Sequence, residues 1–264
     1  MIEANADLAI LFWFYKDLAI CENRLKLLRK YNPRIKIFGL FGGEKKDAPA
    51  FKHRLSKYLD DFYASPYTSR AWKWINGDLM ITDWHEKKGK FLSWDSIAVT
   101  QWDMLLFESI KKLFPKIKRN EVFLSGLRKI TKPLEKAWDW TRPGTKERKN
   151  YLRFMKYVEK NYGYKETPLA CLFILLVFPR VFFEKYLKVK NKQVGMLEYK
   201  VPIYARIFGL PFYEKDFGVY WQGNPKTKPL NALPEEISAA HIKGELANKK
   251  GWRIFHPYYK QWRL

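Results

Sequence analysis

The run Ser96-Ile-Ala-Val-Thr100 is short, almost wholly apolar and β-prone, and it ends at Gln101-Trp102-Asp103. A strand of that kind belongs in the middle of a sheet covered on both faces. The chain must then supply helices for both sides. An acidic residue placed where such a strand emerges lies at the edge where open α/β folds bind their ligands. Asp103 is therefore a candidate to hold a divalent cation, or the N-cap of a helix beginning near Met104.

The residues before this strand set the fold class. Leu8 to Tyr15 reads as a strand, Cys21 to Tyr31 as a helix with apolar residues at helical spacing, and Arg34 to Leu40 as a second strand closed by Phe41-Gly42-Gly43. Strand, helix, strand and a glycine stop predict a right-handed βαβ unit with parallel pairing. Ala48 to Leu59 reads as a helix, Asp61 to Ala64 as a short strand, and Trp72 to Trp84 as a helix despite Gly77. Gly42-Gly43 lacks the Lys-Ser/Thr of a phosphate loop and reads as a turn. The expectation is a doubly wound α/β layer.

Beyond residue 110 the pattern loosens. Glu121 to Leu127 and Leu169 to Phe178 read as strands, Thr145 to Tyr162 as a basic amphipathic helix, Val181 to Tyr186 as a short helix, and Glu198 to Phe208 as helical despite Pro202. Asp216 to Pro234 reads as a long loop, followed by a helix over Glu235 to Lys249 and a short strand over Trp252 to Phe255.

The 50 Lys and Arg against 27 Asp and Glu, a formal charge of +23, imply an anionic partner: nucleic acid, a lipid surface or phosphorylated substrates. Two cysteines, Cys21 and Cys171, both in apolar surroundings, argue against a disulfide framework and for a reducing, cytoplasmic setting. The start, Met-Ile-Glu-Ala-Asn-Ala-Asp, lacks the basic region of a signal peptide. Leu169 to Phe178 has about half the length of a membrane span.

Four pieces occur together in order: Phe14-Tyr15-Lys16 after the first strand, Trp72 to Trp84 with Asp78 inside it, Gln101-Trp102-Asp103 after the central strand, and His256-Pro257 near the C-terminus. On these pieces the chain resembles nucleotide-sugar glycosyltransferases of the GT-A type, such as those that build bacterial and viral polysaccharides. The resemblance implies a Rossmann-type mixed sheet flanked by helices in one continuous domain. Residues 1–110 would form the half that binds the nucleotide-sugar donor, and residues 111–264 the half for the acceptor and the closing segment. It implies donor contacts from Phe14, Tyr15, Lys16, Lys73, Asp78, Gln101, Trp102 and Asp103. It also implies a Mn²⁺ or Mg²⁺ ion at Asp103, closed by a late histidine, His256 first and His241 second. The family's Asp-x-Asp has Gln101 in place of its first acid here, which leaves one carboxylate of the motif.

The chemistry agrees with that reading. Breaking a glycosyl phosphate bond releases a nucleoside diphosphate whose charge needs a hard cation, Lys or Arg. A reaction that inverts the anomeric carbon needs a carboxylate to deprotonate the attacking hydroxyl; Glu198 is the candidate, with Glu184 and Asp139 as alternatives. Bland readings stand beside these: Asp78 as a helix residue, Tyr15 and Trp102 as core aromatics, Glu198 as a helix-dipole partner, His53 and His85 as surface residues. The expected function is sugar transfer to a saccharide or lipid-linked glycan, with peripheral contact at an anionic membrane face. The alternatives are a basic nucleic-acid-binding protein, for which no recognisable nucleic-acid module is present, and a noncatalytic saccharide-binding relative.

Overall fold

The computed structural model of the chain describes residues 5–221, 225 and 228–263. β1 (Leu8–Phe14) leads through α1 (Leu18–Tyr31) to β2 (Ile37–Phe41), α2 (Ala48–Leu55), β3 (Asp61–Ala64), α3 (Arg70–Lys87) and β4 (Ser96–Gln101). Shorter elements follow: β5 (Leu105–Leu106), α4 (Ile110–Leu113), β6 (Phe123–Leu124), β7 (Arg128–Lys129) and α5 (Lys132–Ala137). Then come α6 (Lys146–Tyr162), β8 (Leu169–Ala170), β9 (Leu176–Pro179), α7 (Arg180–Tyr186), α8 (Leu197–Ile207), α9 (Ala239–Ala247) and β10 (Ile254–Phe255).

Among the described residues the main sheet has six strands in the order β3-β2-β1-β4-β9-β6. β1 pairs in parallel with β2 and β4, and β2 with β3, whereas β9 runs antiparallel to β4 and β6. The chain thus steps outward from β1 to β3 and returns on the other side of β1 as β4. Two neighbouring strands whose connections leave in opposite directions open a crevice at their carboxyl ends. The result is a mixed α/β sheet flanked by helices.

Every residue of β1 is buried, and its side chains alternate between two cores. Leu8, Ile10, Phe12 and Phe14 pack with Cys21, Leu25 and Leu28 of α1 and with Phe51 and Leu55 of α2. Ala9, Leu11 and Trp13 pack on the other face with Met80, Ile81 and Trp84 of α3, and that core runs on to Tyr199 and Tyr204 of α8. It joins residues from Ala9 to Leu210, so residues before and after 110 share it. Phe14, expected at the donor, is corrected to a core residue. It is fully buried against Phe12, Phe41 and Phe51, on the face of β1 turned away from α3.

Several expected elements change. The apolar run over 169–178 is two strands, β8 and β9, separated by a loop at Cys171–Leu175 whose backbone bonds elsewhere. The strand expected over Glu121–Leu127 is reduced to Phe123–Leu124. His85 is corrected from the surface to the core, stacked on Phe183, and burial lowers its pKa to about 4. Residues 1–4, and part of the loop expected over Asp216–Pro234, lie outside the described residues. Among the described residues no helix is long and apolar enough to cross a membrane.

Asp78 is also corrected, from a donor contact to a buried tie between helices. Lys200 Nζ of α8 lies 3.0 Å from its Oδ2, and the Tyr186 hydroxyl of α7 donates to the same oxygen at 2.5 Å. The side chains of Lys200 and Asp78 are only 0% and 2% exposed. Lys200 also donates to the Lys192 carbonyl at 3.0 Å. Removing one partner of a buried pair strands the other charge. Asp78→Ala is therefore expected to cost about 3–5 kcal/mol in denaturant unfolding; an unchanged midpoint would refute the tie.

Candidate functional site

A cavity of about 630 Å³ opens at the carboxyl ends of β1 and β4, where the sheet reverses direction. Trp13 and Tyr15 reach it from β1 and the turn after it, and Gln101 from the end of β4. Arg70, Lys73 and Trp74 come from the first turns of α3, and Phe173 and Ile174 from the loop between β8 and β9. Glu198 comes from the start of α8 and His256 from just beyond β10.

The turn after β1 passes through Asp17 in the left-handed region, at φ 54° and ψ 67°, before α1 begins. Tyr15 meets Trp102 edge-on at 5.7 Å, and Lys16 Nζ stands 4.6 Å over the Trp102 ring. Tyr259 stacks on the same indole at 5.9 Å, and Trp102, only 1% exposed beneath these groups, is corrected from a donor contact to a core aromatic. Burial, then the nearby Asp103 carboxylate, pushes the Tyr259 phenol up to about 12. Lys73 donates to the carbonyls of Gly42 and of Thr68 and lies 4.9 Å over the Tyr15 ring; burial lowers its pKa.

Asp103 and His256 meet. His256 Nδ1 is 2.7 Å from the Asn231 carbonyl, an acceptor only, so that nitrogen carries a proton. The other nitrogen, Nε2, lies 3.3 Å from Asp103 Oδ1, a buried oxygen with no hydrogen-bond partner among the described residues. A bare imidazole nitrogen and a carboxylate oxygen that close require a positive charge between them, either a proton on Nε2 or a divalent cation. Burial disfavours the imidazolium, but the Asp103 charge reverses this and the His256 pKa is net raised. The carbonyl behind Nδ1 is the support that orients a metal-bound histidine. This pair thus fits a hard cation. Among the described residues no third His, Cys, Asp or Glu joins it, so phosphate oxygens and water would complete the shell.

The second histidine candidate, His241, is corrected to a structural position. It lies in the first turn of α9, where its backbone N–H is capped by Ser238, and its ring meets Phe255 edge-on. Among the described residues no hydrogen bond or ion pair joins it to Asp103.

Gln101 has a definite job. Its amide Nε2 donates to the Phe173 carbonyl at 2.6 Å, while the Phe173 N–H donates to Glu198 Oε1 at 3.1 Å. Residue 173 therefore links the end of β4 to the carboxylate of α8. Burial raises the Glu198 pKa to about 7, against smaller opposing effects of the Phe173 N–H and the Trp140 indole. A carboxyl group with that affinity is matched to proton transfer near neutral pH. Arg70, Trp74, Phe173 and Tyr259 were not expected from the sequence. Trp74 lies on the helical stripe shared with Asp78 and Ile81, but nothing in that spacing distinguishes a cavity rim from a core position.

No protein-family model and no curated protein sequence matches the chain. Among solved structures it is similar to the bifunctional glycosyltransferase WbbM, with a TM-score of 0.47 and 10% identity over 98% of this chain and 47% of that one. It is similar as well to the galactosyltransferase LgtC in complex with donor and acceptor sugar analogs, at 0.44 and 13% over 80% of this chain and 75% of that one. A cytidylyltransferase from Leptospira borgpetersenii matches at 0.44 and 13%, over 80% and 76% of the two chains. The chain spans about half the length of WbbM.

A buried carboxyl whose pKa is raised opposes folding once it must ionise. Between the ordinary value of 4.5 and about 7 the unfolded chain releases this proton and the folded one keeps it, so stability falls across that window and levels off above it. Glu198→Gln is expected to stabilise the fold by on the order of 3 kcal/mol at pH 8 and not at all at pH 4. Paired denaturant titrations at the two pH values check this.

Proposed function

We propose that the protein is a glycosyltransferase that moves a sugar from a nucleotide-diphosphate donor to a hydroxyl of a saccharide or lipid-linked glycan. The observation that carries the reading is one cavity at the sheet's reversal point lined by Lys73, Glu198 and His256, with Asp103 held against His256 behind it. Arg70 and Lys73 offer positive charge to the diphosphate, and the half-buried Tyr15 ring, packed on the buried Trp102, suits the nucleoside. Asp103 and His256 would hold Mn²⁺ or Mg²⁺, which when bound supplies charge neutralisation for the departing diphosphate.

Glu198 in its ionised form, populated as pH rises through about 7, takes the proton of the acceptor hydroxyl while the hydroxyl oxygen bonds to the anomeric carbon. The glycosyl phosphate bond breaks at the same carbon and its electron pair leaves with the nucleoside diphosphate. Water is kept from competing by the apolar wall of Trp13, Phe173, Ile174 and Leu197. The +23 charge suits a membrane face carrying anionic lipid, where a lipid-linked acceptor resides.

Thermal unfolding with a panel of nucleoside diphosphates, each with and without Mn²⁺, tests the site. Ligand at about a hundred times its Kd adds about 2.7 kcal/mol, a rise of several degrees. The expected result is a rise for one base that needs metal and is lost in Asp103→Ala. In the turnover assay built on that nucleotide, Glu198→Gln should lower kcat by roughly 10²–10⁴ while nucleotide binding persists. No rise with any nucleotide, together with salt-sensitive binding to RNA, would sink the reading and favour the nucleic-acid alternative.

A further inference from the structure

Trp74 is 69% exposed and yet lines the cavity. An exposed indole at a cavity mouth offers a large, rigid ring face to a ligand that enters the cavity. Its support is specific. Trp140 packs against it at 5.2 Å with the rings inclined at 68°, and the Trp140 indole also acts on the Glu198 carboxylate, opposing the rise that burial causes in its pKa. Trp140 thus adjoins both the exposed ring and the buried carboxyl. Tyr15 and Tyr259, packed on the buried Trp102, form a separate group beside Asp103.

We infer that Trp74 is a platform for a pyranose ring, the sugar lying on the indole with a hydroxyl turned toward Glu198. A pyranose offers a flat patch of C–H groups on one face and hydroxyls around its rim, which matches an exposed aromatic ring and a hydrogen-bonding carboxyl lining the same cavity. A purely apolar ligand would cover the ring but leave the carboxyl unpartnered. A nucleobase would stack as well but brings no hydroxyl to deprotonate. Calling this sugar the acceptor rests on the transferase reading; the platform itself does not.

Saturation-transfer NMR on the full chain tests it, with methyl β-D-galactopyranoside, methyl α-D-glucopyranoside and N-acetylglucosamine as probes and no nucleotide present. At least one probe is expected to receive saturation on its ring C–H protons. Transfer should fall at least fivefold in Trp74→Ala and persist in Trp74→Phe. The nucleotide-induced thermal shift should be the same in Trp74→Ala as in the parent chain. Because the ring is exposed, its removal leaves the fold intact, which circular dichroism checks.

Undiminished transfer in Trp74→Ala, or no transfer to any of the three sugars, would overturn the platform. Loss of the nucleotide shift in Trp74→Ala would also overturn it, by giving the ring to the donor base. Trp74-dependent sugar binding in a chain that no nucleotide stabilises would uphold the platform while removing the transferase, leaving a saccharide-binding protein.

Discussion

Burial of β1 and β4 on both faces is the constraint from which the site follows. Side chains along the length of these strands face one core or the other, so a polar group can be reached by ligand only where the strands end. Tyr15, Gln101 and Asp103 lie at or just beyond those ends, and the opposite departures of α1 and of the segment after β4 keep the crevice between them open. The depth of the crevice comes from elsewhere. α3 brings Arg70, Lys73 and Trp74, and α8 brings Glu198, and these two helices are fixed to each other by the buried Asp78–Lys200 pair.

That buried pair explains how a site assembled from distant residues keeps its geometry. Asp78 lies on α3 beyond the cavity-lining turn, and Lys200 follows Glu198 by two positions on α8. Two charges withdrawn from water must stay paired. The C-terminal segment is held in an analogous way. Arg24, buried in α1, donates to the carbonyls of Tyr258 and Lys260, and the Asn23 side chain both donates to and accepts from the backbone of Trp262. His256 and Tyr259 face the site because the tail that carries them is bonded along α1.

Much of the first half was legible because periodicity and burial agree there. The βαβ start, the strand over Asp61–Ala64, the central strand and the position of Asp103 all follow from runs whose side chains have one environment per face. The residues that define the cavity's far wall were hidden for different reasons. The loop at Phe173 and Ile174 lies inside an unbroken apolar run with no Gly or Pro to mark it, and its turn is fixed by hydrogen bonds to Gln101 and Glu198, 72 and 25 residues away. Asp78 has the same spacing whether it faces a ligand or Lys200, and only the tertiary partner decides. His256 was legible as a candidate, but its orientation depends on Asn231, which no local pattern connects to it.

Gln101 shows how the departure from a paired-acid motif can follow from the structure. Position 101 faces the Phe173 carbonyl at 2.6 Å, and a carboxylate there would set two acceptors against each other. The amide instead donates to that carbonyl. The residue it steadies is the one whose N–H donates to Glu198, so an amide in place of an acid removes one negative charge from the end of β4 and supports the Glu198 carboxyl through residue 173. Asp103 is then left as the carboxylate of this segment that faces His256, and a cation held there would depend more heavily on donor phosphate oxygens than one held by two acids. In the proposed transferase, metal and nucleotide would accordingly bind as a linked pair, each raising the affinity of the other by the same factor.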